Sequence, residues 1–246
     1  MTADDRTGFD PEATLDQINA ATEHLMETAA RFTDADVRAP SLLPAWSRGH
    51  VLTHLARNAD GGRNLLVWAR TGVETPEYPS LAARDEQIES GAGRGIAELV
   101  ADLRGAAARF ATEYRRMPPE AWKRMVRWTR GQERAAVRAA DSRLCEVLIH
   151  HVDLNADYTP AQWPTGFVRG MLGRVVASFS ARDDAPSMRL HTTDTEISYD
   201  IGTAARPAPI IHGPQASLLA WLMGRTQGAD LVVNGASELP RPPFLY

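Results

Sequence analysis

Hydrophobic residues recur at intervals of three and four positions over most of the first 155 residues, which is the spacing of one face of an α-helix. Four segments carry this pattern. The first starts at the Asp10-Pro11 signal and the others cover roughly residues 48–70, 96–114 and 137–154. The pattern therefore predicts four long helices that each bury one face, an arrangement typical of a helical bundle.

The residues at the ends of the second segment support its boundaries. Ser47 is a good N-cap for a helix that starts at Arg48, and Gly72 is a good terminator after Thr71. Gly61 and Gly62 stand in the interior, where each costs about 1 kcal/mol relative to alanine. They indicate either a kink or the close approach of another group. The proline-containing stretch 72–80 is predicted to be a loop.

The pattern changes after residue 158. A helix is predicted from Pro164, and alternating segments at 188–192 and 196–201 predict strands. A short strand at 210–211, a helix over 214–224 and a strand at 231–234 complete the unit. We expect a four-helix bundle over residues 1–158, followed by a smaller α+β domain over residues 159–246.

Composition narrows the class of protein. A net charge of −4 and scattered arginines argue against a nucleic-acid surface, and no apolar run approaches the ~20 residues of a membrane span. The polar, acidic N-terminus is unlike a secretory signal, and the single cysteine, Cys145, excludes an internal disulfide. We expect a cytoplasmic monomer that binds neither nucleic acid nor membrane.

Two short helical segments concentrate the candidate chemistry. Four of the seven histidines lie in 50–54 and 146–151. Glu146 and His150 are four residues apart, so a helix places them on one face, one turn apart. With one histidine from the first segment they form a two-histidine, one-carboxylate set. Such a set suits Zn²⁺ or another divalent first-row metal, with one coordination position left open.

The first segment offers two histidines. His50 falls in the first turn of its helix, whereas His54 lies one turn deeper among apolar neighbours. Depth favours His54 as the partner of the second segment. The alternative is a hydrogen-bonded core histidine with no metal, and the spacing leaves both interpretations open.

Residues 46–59, Trp-Ser-Arg-Gly-His-Val-Leu-Thr-His-Leu-Ala-Arg-Asn-Ala, closely resemble the metal-binding signature of mycothiol-dependent maleylpyruvate isomerases, which belong to the DinB-like helical bundle superfamily. The likeness continues through 68–78, 84–88 and 146–154, and then at Gly224-Arg225. It covers nearly the whole chain, including the second predicted domain.

The resemblance implies zinc ligands at His54, Glu146 and His150, and a catalytic arginine at Arg225 of the second domain. It implies mycothiol as the thiol cofactor and the cis–trans isomerisation of maleylpyruvate to fumarylpyruvate in gentisate breakdown. His50 and His151 fall outside the implied metal set. For Asp153, a solvated or helix-end role is expected rather than an orienting role behind the metal.

Two other functions remain open. The same metal-activated thiolate would serve a mycothiol-dependent S-transferase that acts on small electrophiles, since a scaffold does not fix its substrate. A metal-stabilised binding module without catalysis is the third. Arg225 also has a structural alternative, because a cation beside Gly224 would stabilise the end of the predicted helix. In each enzyme case the partners are a small-molecule substrate and a low-molecular-weight thiol.

Overall fold

The structure is a computed structural model that describes residues 9–202 and 208–243. The acidic residues at the N-terminus lie outside this part. The chain divides into two compact units, residues 1–157 and 158–246.

The first unit is a helical bundle. Its helices are α1 (Pro11–Ala29), α2 (Asp34–Arg38), α3 (Arg48–Thr71), α4 (Leu81–Ala92), α5 (Ile96–Arg115) and α6 (Val137–Asp153). The helix α3 packs against α5 and α6, and α1 closes the ring by packing against the same two helices. Their apolar faces form one core that includes Leu25, Leu52, Leu55, Leu103 and Phe110, all at most 1% exposed. The predicted four-helix bundle is confirmed.

Sequence-encoded caps fix the ends of α3. The Ser47 hydroxyl accepts the backbone N–H of His50 at 3.3 Å, and the backbone N–H of Ser47 donates to His50 Nδ1 at 3.2 Å. At the other end, Gly72 has a left-handed backbone with φ of 77°. The cap holds the first turn of α3, and thereby the turn that carries His54, in a defined register.

The helix α4 and a small antiparallel hairpin, β1 (Met125–Arg127) and β2 (Glu133–Ala135), were not predicted. Only Ile88 and Ala92 of α4 are buried, so its hydrophobic pattern is weak. Small residues instead let α4 lie close to α3. A Cβ at Gly49 would overlap the carbonyl oxygen of Ala92, and one at Gly91 would lie 2.6 Å from Thr53 Cγ2.

The second unit is an α+β domain, as predicted. It contains α7 (Thr165–Ser180), β3 (Met188–Thr192), β4 (Ser198–Ile201), β5 (Ile210–Gly213), α8 (Gln215–Leu222) and β6 (Val232–Asn234). The strand order is β4-β3-β5-β6; β3 and β5 are parallel and the other pairs antiparallel. The strand expected from residue 196 starts at Ser198, because Glu196 has φ of 55° in a tight turn.

None of the described helices is long and apolar enough to cross a lipid bilayer.

We expect the Gly49→Ala substitution to destabilise the first unit by about 1–3 kcal/mol, because its methyl group would collide with the backbone of α4. Gly105→Ala on α5 is the matched control, since its Cβ would meet only the flexible end of Arg109. That variant should keep or gain up to about 1 kcal/mol. Urea unfolding of both variants measures the difference; equal stabilities would contradict the close α3–α4 contact.

Candidate metal centre

Three side chains from α3 and α6 meet at a single carboxylate oxygen. Glu146 Oε2 lies 2.7 Å from His54 Nε2 and 3.1 Å from His150 Nε2. The two histidine nitrogens are themselves 3.1 Å apart. The structure therefore brings together the three residues that the sequence singled out, and among the described residues they form the one such group with metal-ligand chemistry.

The spacing of these three atoms suits a small divalent ion. Zinc binds nitrogen and oxygen at about 2.0–2.2 Å, so ligand atoms at tetrahedral corners lie about 3.3 Å apart. The observed separations of 2.7–3.1 Å need only a small expansion to reach that value. Two imidazoles and one carboxylate supply three of the four ligands of a typical catalytic zinc site.

Asp153 holds the ring of His150 from behind. Its Oδ2 lies 2.7 Å from His150 Nδ1, and the residue is fully buried, at 0% exposure. The expectation of a solvated or helix-end role for Asp153 is therefore wrong. A carboxylate that accepts the second N–H of a metal-binding histidine fixes both the ring orientation and the tautomer. This is the arrangement seen here, with His150 Nε2 directed towards Glu146.

The electrostatics of the cluster separate its two histidines. Burial by itself would lower the pKa of His150, but hydrogen bonds to Asp153 and Glu146 outweigh it and raise that pKa to about 9. Burial dominates at His54 and lowers its pKa to about 4. Burial alone would raise the pKa of Glu146, yet hydrogen bonds from His150 and His54 hold it well below its usual value. The neighbouring carboxylates thus favour the charged form of His150, whereas burial favours the neutral form of His54.

Arg84 of α4 contacts the outer side of His54. Its Nη2 lies 3.2 Å from His54 Nδ1, and its Nη1 lies 2.6 Å from Asp85 Oδ1. Sequence reasoning did not identify this residue. It was visible only as part of the family likeness at 84–88, because nothing in that stretch shows which buried group it would reach.

Tyr78 and Trp46 flank the cluster. A Cβ at Gly61 of α3 would lie 3.1 Å from Tyr78 Cζ, so the interior glycine marks a close approach of the loop. Burial raises the pKa of Tyr78, nearby carboxylates including Glu146 add to the shift, and Arg84 opposes it. The Trp46 ring centroid lies 5.5 Å from that of His54. The Trp46 ring thus covers one side of His54, and Tyr78 lies close enough to Glu146 and Arg84 for their charges to shift its pKa.

The other two histidines of these segments face elsewhere. His50 Nδ1 lies 2.7 Å from Ser47 Oγ, and its Nε2 lies 3.2 Å from Glu89 Oε2. His151 is 1% exposed, with its Nε2 2.8 Å from Thr28 Oγ1. His50 therefore belongs to the helix cap, and His151 packs in the core.

A buried arginine adds a positive charge close to the cluster. Arg143 lies on α6 just before Glu146, is 2% exposed, and donates through Nη1 to Leu55 O at 2.8 Å and Asn58 Oδ1 at 2.9 Å. Its Nε and Nη2 have no hydrogen-bond partner within the described residues. Burial lowers its pKa to about 10, so it stays charged at neutral pH. Its field favours anions in the region.

Arg225, in the second unit, follows the end of α8. Its backbone N–H donates to Ala220 O at 2.8 Å and that of Gly224 donates to Trp221 O at 3.0 Å, which is a Schellman cap. Gly224 has φ of 71°. The guanidinium Nη1 donates to Met223 O at 2.8 Å. The backbone N–H and the guanidinium of Arg225 both bind carbonyls at the end of α8, which supports the helix-end alternative, and the side chain is partly exposed.

Comparison with known proteins relates this arrangement to one group. The family model described as the mycothiol maleylpyruvate isomerase N-terminal domain matches residues 18–155, more than half of the chain. Among solved structures, the crystal structure of the mycothiol-dependent maleylpyruvate isomerase is similar with a TM-score of 0.90 and 26% identity. The match covers 96% of this chain and 98% of that one. A variant of that isomerase with one histidine replaced by alanine matches equally well. No curated protein sequence matches.

We expect Asp153→Asn to lower the pKa of His150 by about 1–2 units from its value near 9, because the amide no longer stabilises the imidazolium by charge. An NMR titration of the ring protons in metal-free protein measures this shift. Asp157→Asn is the control, since Asp157 is exposed and pairs with Arg31. An unchanged His150 titration in the Asp153 variant would contradict the assigned role.

Proposed function

Because the chain belongs to the mycothiol maleylpyruvate isomerase family, we propose that it is a zinc- and mycothiol-dependent cis–trans isomerase that converts maleylpyruvate to fumarylpyruvate. The observation that carries the proposal is the convergence of His54, Glu146 and His150 on one point. The substrate and the thiol are inferred from the relatives, and the metal site is inferred from this cluster.

Zinc is the proposed ion because of the donor atoms. Two imidazole nitrogens and one carboxylate oxygen match the ligand types of catalytic zinc sites, and other first-row divalent metals accept the same set. Two neutral imidazoles and one carboxylate would leave a bound divalent ion with a net charge of +1. That charge favours an incoming thiolate or carboxylate.

The chemistry of the bound groups is simple to state. A divalent ion in this cluster would hold a thiol as its thiolate, and reversible addition of that thiolate to a conjugated double bond permits the rotation that converts cis into trans. The residues of the chain prepare the site for this. Asp153 keeps the His150 ring oriented, Glu146 stays ionised, and the Trp46 ring covers one side of His54.

Arg225 is proposed to bind a substrate carboxylate or the enolate formed on thiol addition, a task that suits its planar, permanently charged fork. We further propose that the enzyme works in the reducing cytoplasm, since its one cysteine forms no internal disulfide. We also propose that it works as a monomer.

The metal ligands are tested by zinc content. Wild-type protein purified without chelator should carry about one zinc per chain, and His54→Ala and His150→Ala should each reduce this to near zero, because two ligands bind zinc weakly. His50→Gln is the matched control on α3, since the His50 ring is hydrogen-bonded to Ser47 and Glu89 rather than to the cluster. Elemental analysis gives the stoichiometry. Full zinc occupancy in the His150 variant would show that the ligands were wrongly assigned.

The reaction is tested with mycothiol and maleylpyruvate. A catalytic amount of thiol should support complete conversion and be recovered unchanged, whereas consumption of one thiol per turnover would identify an S-transferase instead. Arg225→Met should keep its zinc and lose about 100-fold or more in kcat/KM, with Arg225→Lys partly active. Arg169→Met, at an exposed position on α7, is the control. If Arg225 only caps α8, its variants will lose stability while the folded protein turns over normally.

A further inference from the structure

The contact between Arg84 and His54 constrains the state of the cluster. A guanidinium is always a hydrogen-bond donor. At 3.2 Å from Arg84 Nη2, His54 Nδ1 must therefore offer its lone pair. The ring hydrogen of His54 is then on Nε2, which lies 2.7 Å from Glu146 Oε2 and donates to it. Both ring nitrogens of His54 then have a partner, Arg84 at Nδ1 and Glu146 at Nε2, and the N–H groups of His54 and His150 share Glu146 Oε2.

A metal ion requires the opposite tautomer. An ion bound at His54 Nε2 takes the lone pair of that nitrogen, so the ring hydrogen moves to Nδ1. Two donors, Nδ1–H and the guanidinium N–H, would then face each other at the 3.2 Å contact. The Arg84–His54 hydrogen bond and a metal bond at His54 Nε2 are therefore mutually exclusive for a neutral ring. Metal binding must displace the Arg84 guanidinium.

We propose that Arg84 is a carboxylate-binding residue of the substrate site that is released for this role when the metal binds. The inference rests on the proposed metal site at His54. Once displaced from His54, the guanidinium remains beside the cluster, because α4 is packed closely against α3 through Gly49 and Gly91. Its planar fork is suited to one carboxylate of a dicarboxylate substrate.

The surroundings of Arg84 leave it available for an anion. Its remaining ion-pair partner, Asp85, is 66% exposed, and such surface pairs are weak. The Arg84 side chain is itself 24% exposed, so a ligand can reach it. The buried positive charge of Arg143 and the net positive charge of a metal-loaded cluster both attract anions to the same place. Tyr78, whose pKa Arg84 influences, borders the same region.

The proposal makes metal and dicarboxylate binding cooperative. The metal frees Arg84, so a dicarboxylate should bind the zinc-loaded protein more tightly than the zinc-free protein, and linkage requires that the dicarboxylate tighten zinc binding equally. Direct contact of the carboxylate with the metal also contributes to this coupling. Removal of the guanidinium should remove only the part of this coupling free energy that comes from Arg84. The difference between wild type and variant therefore measures that part.

The test is calorimetric titration of maleate, the simplest cis dicarboxylate, into zinc-loaded and zinc-free protein. Arg84→Met should weaken maleate binding to the zinc-loaded protein by about 10- to 100-fold, and Arg84→Lys by less. Neither change should alter maleate binding to zinc-free protein. Arg104→Met, at an exposed position on α5, is the control and should behave as wild type. Nitrogen NMR of His54 should show its hydrogen on Nε2 without zinc and on Nδ1 with zinc.

Three outcomes would overturn the proposal in distinguishable ways. Unchanged maleate affinity of the zinc-loaded Arg84→Met protein would show that Arg84 does not bind the carboxylate. An equal loss with and without zinc would show that the metal does not release it. Failure of wild-type protein to bind zinc would instead remove the proposed metal site and this inference together. Retention of zinc binding by each variant also serves as the check that it is folded.

Discussion

The structure depends on the close approach of three side chains from α3 and α6. The two imidazole nitrogens and the carboxylate oxygen lie within 3.1 Å of one another, although His54 is 92 residues from Glu146 and 96 residues from His150 in sequence. In the absence of a metal ion, protons shared with Glu146 hold the cluster together. The same groups are potential metal ligands, so protons and a metal compete for the same lone pairs. The bundle brings α3 and α6 together, and Asp153 then sets the direction of the His150 ring. The fold and the chemistry are therefore linked through the hydrogen bond behind His150.

The fold was predictable where burial is strong and was missed where it is weak. The long helices each bury a continuous apolar stripe, and their caps at Ser47 and Gly72 are local signals. In contrast, α4 buries only Ile88 and Ala92, and its place is set by glycine contacts that no periodicity reveals. Each strand of the β1–β2 hairpin has only three residues, so its alternation of apolar and polar residues is too short to identify a strand. The strand expected at 196 was shortened by a turn at Glu196.

The candidate site was partly predictable. The spacing of Glu146 and His150 indicated a shared face, and depth together with family likeness favoured His54 over His50. Asp153 was misjudged because its position at the end of α6 suggests solvent, whereas the residue is fully buried and its backbone carbonyl accepts the N–H of Leu42. Arg84 was missed because its role arises from a contact between α4 and α3. The local sequence shows which hydrogen-bonding groups a residue carries, whereas tertiary packing determines which groups it contacts.

The measurement that tests the central claim most directly is anomalous X-ray scattering at the zinc absorption edge from crystals of the purified protein. The account predicts one strong peak about 2.0–2.2 Å from His54 Nε2, from a Glu146 carboxylate oxygen and from His150 Nε2. It also predicts that the Arg84 guanidinium has left His54 Nδ1. A crystal grown with zinc that shows no peak between these three side chains, with Glu146 still hydrogen-bonded to both rings, would contradict it.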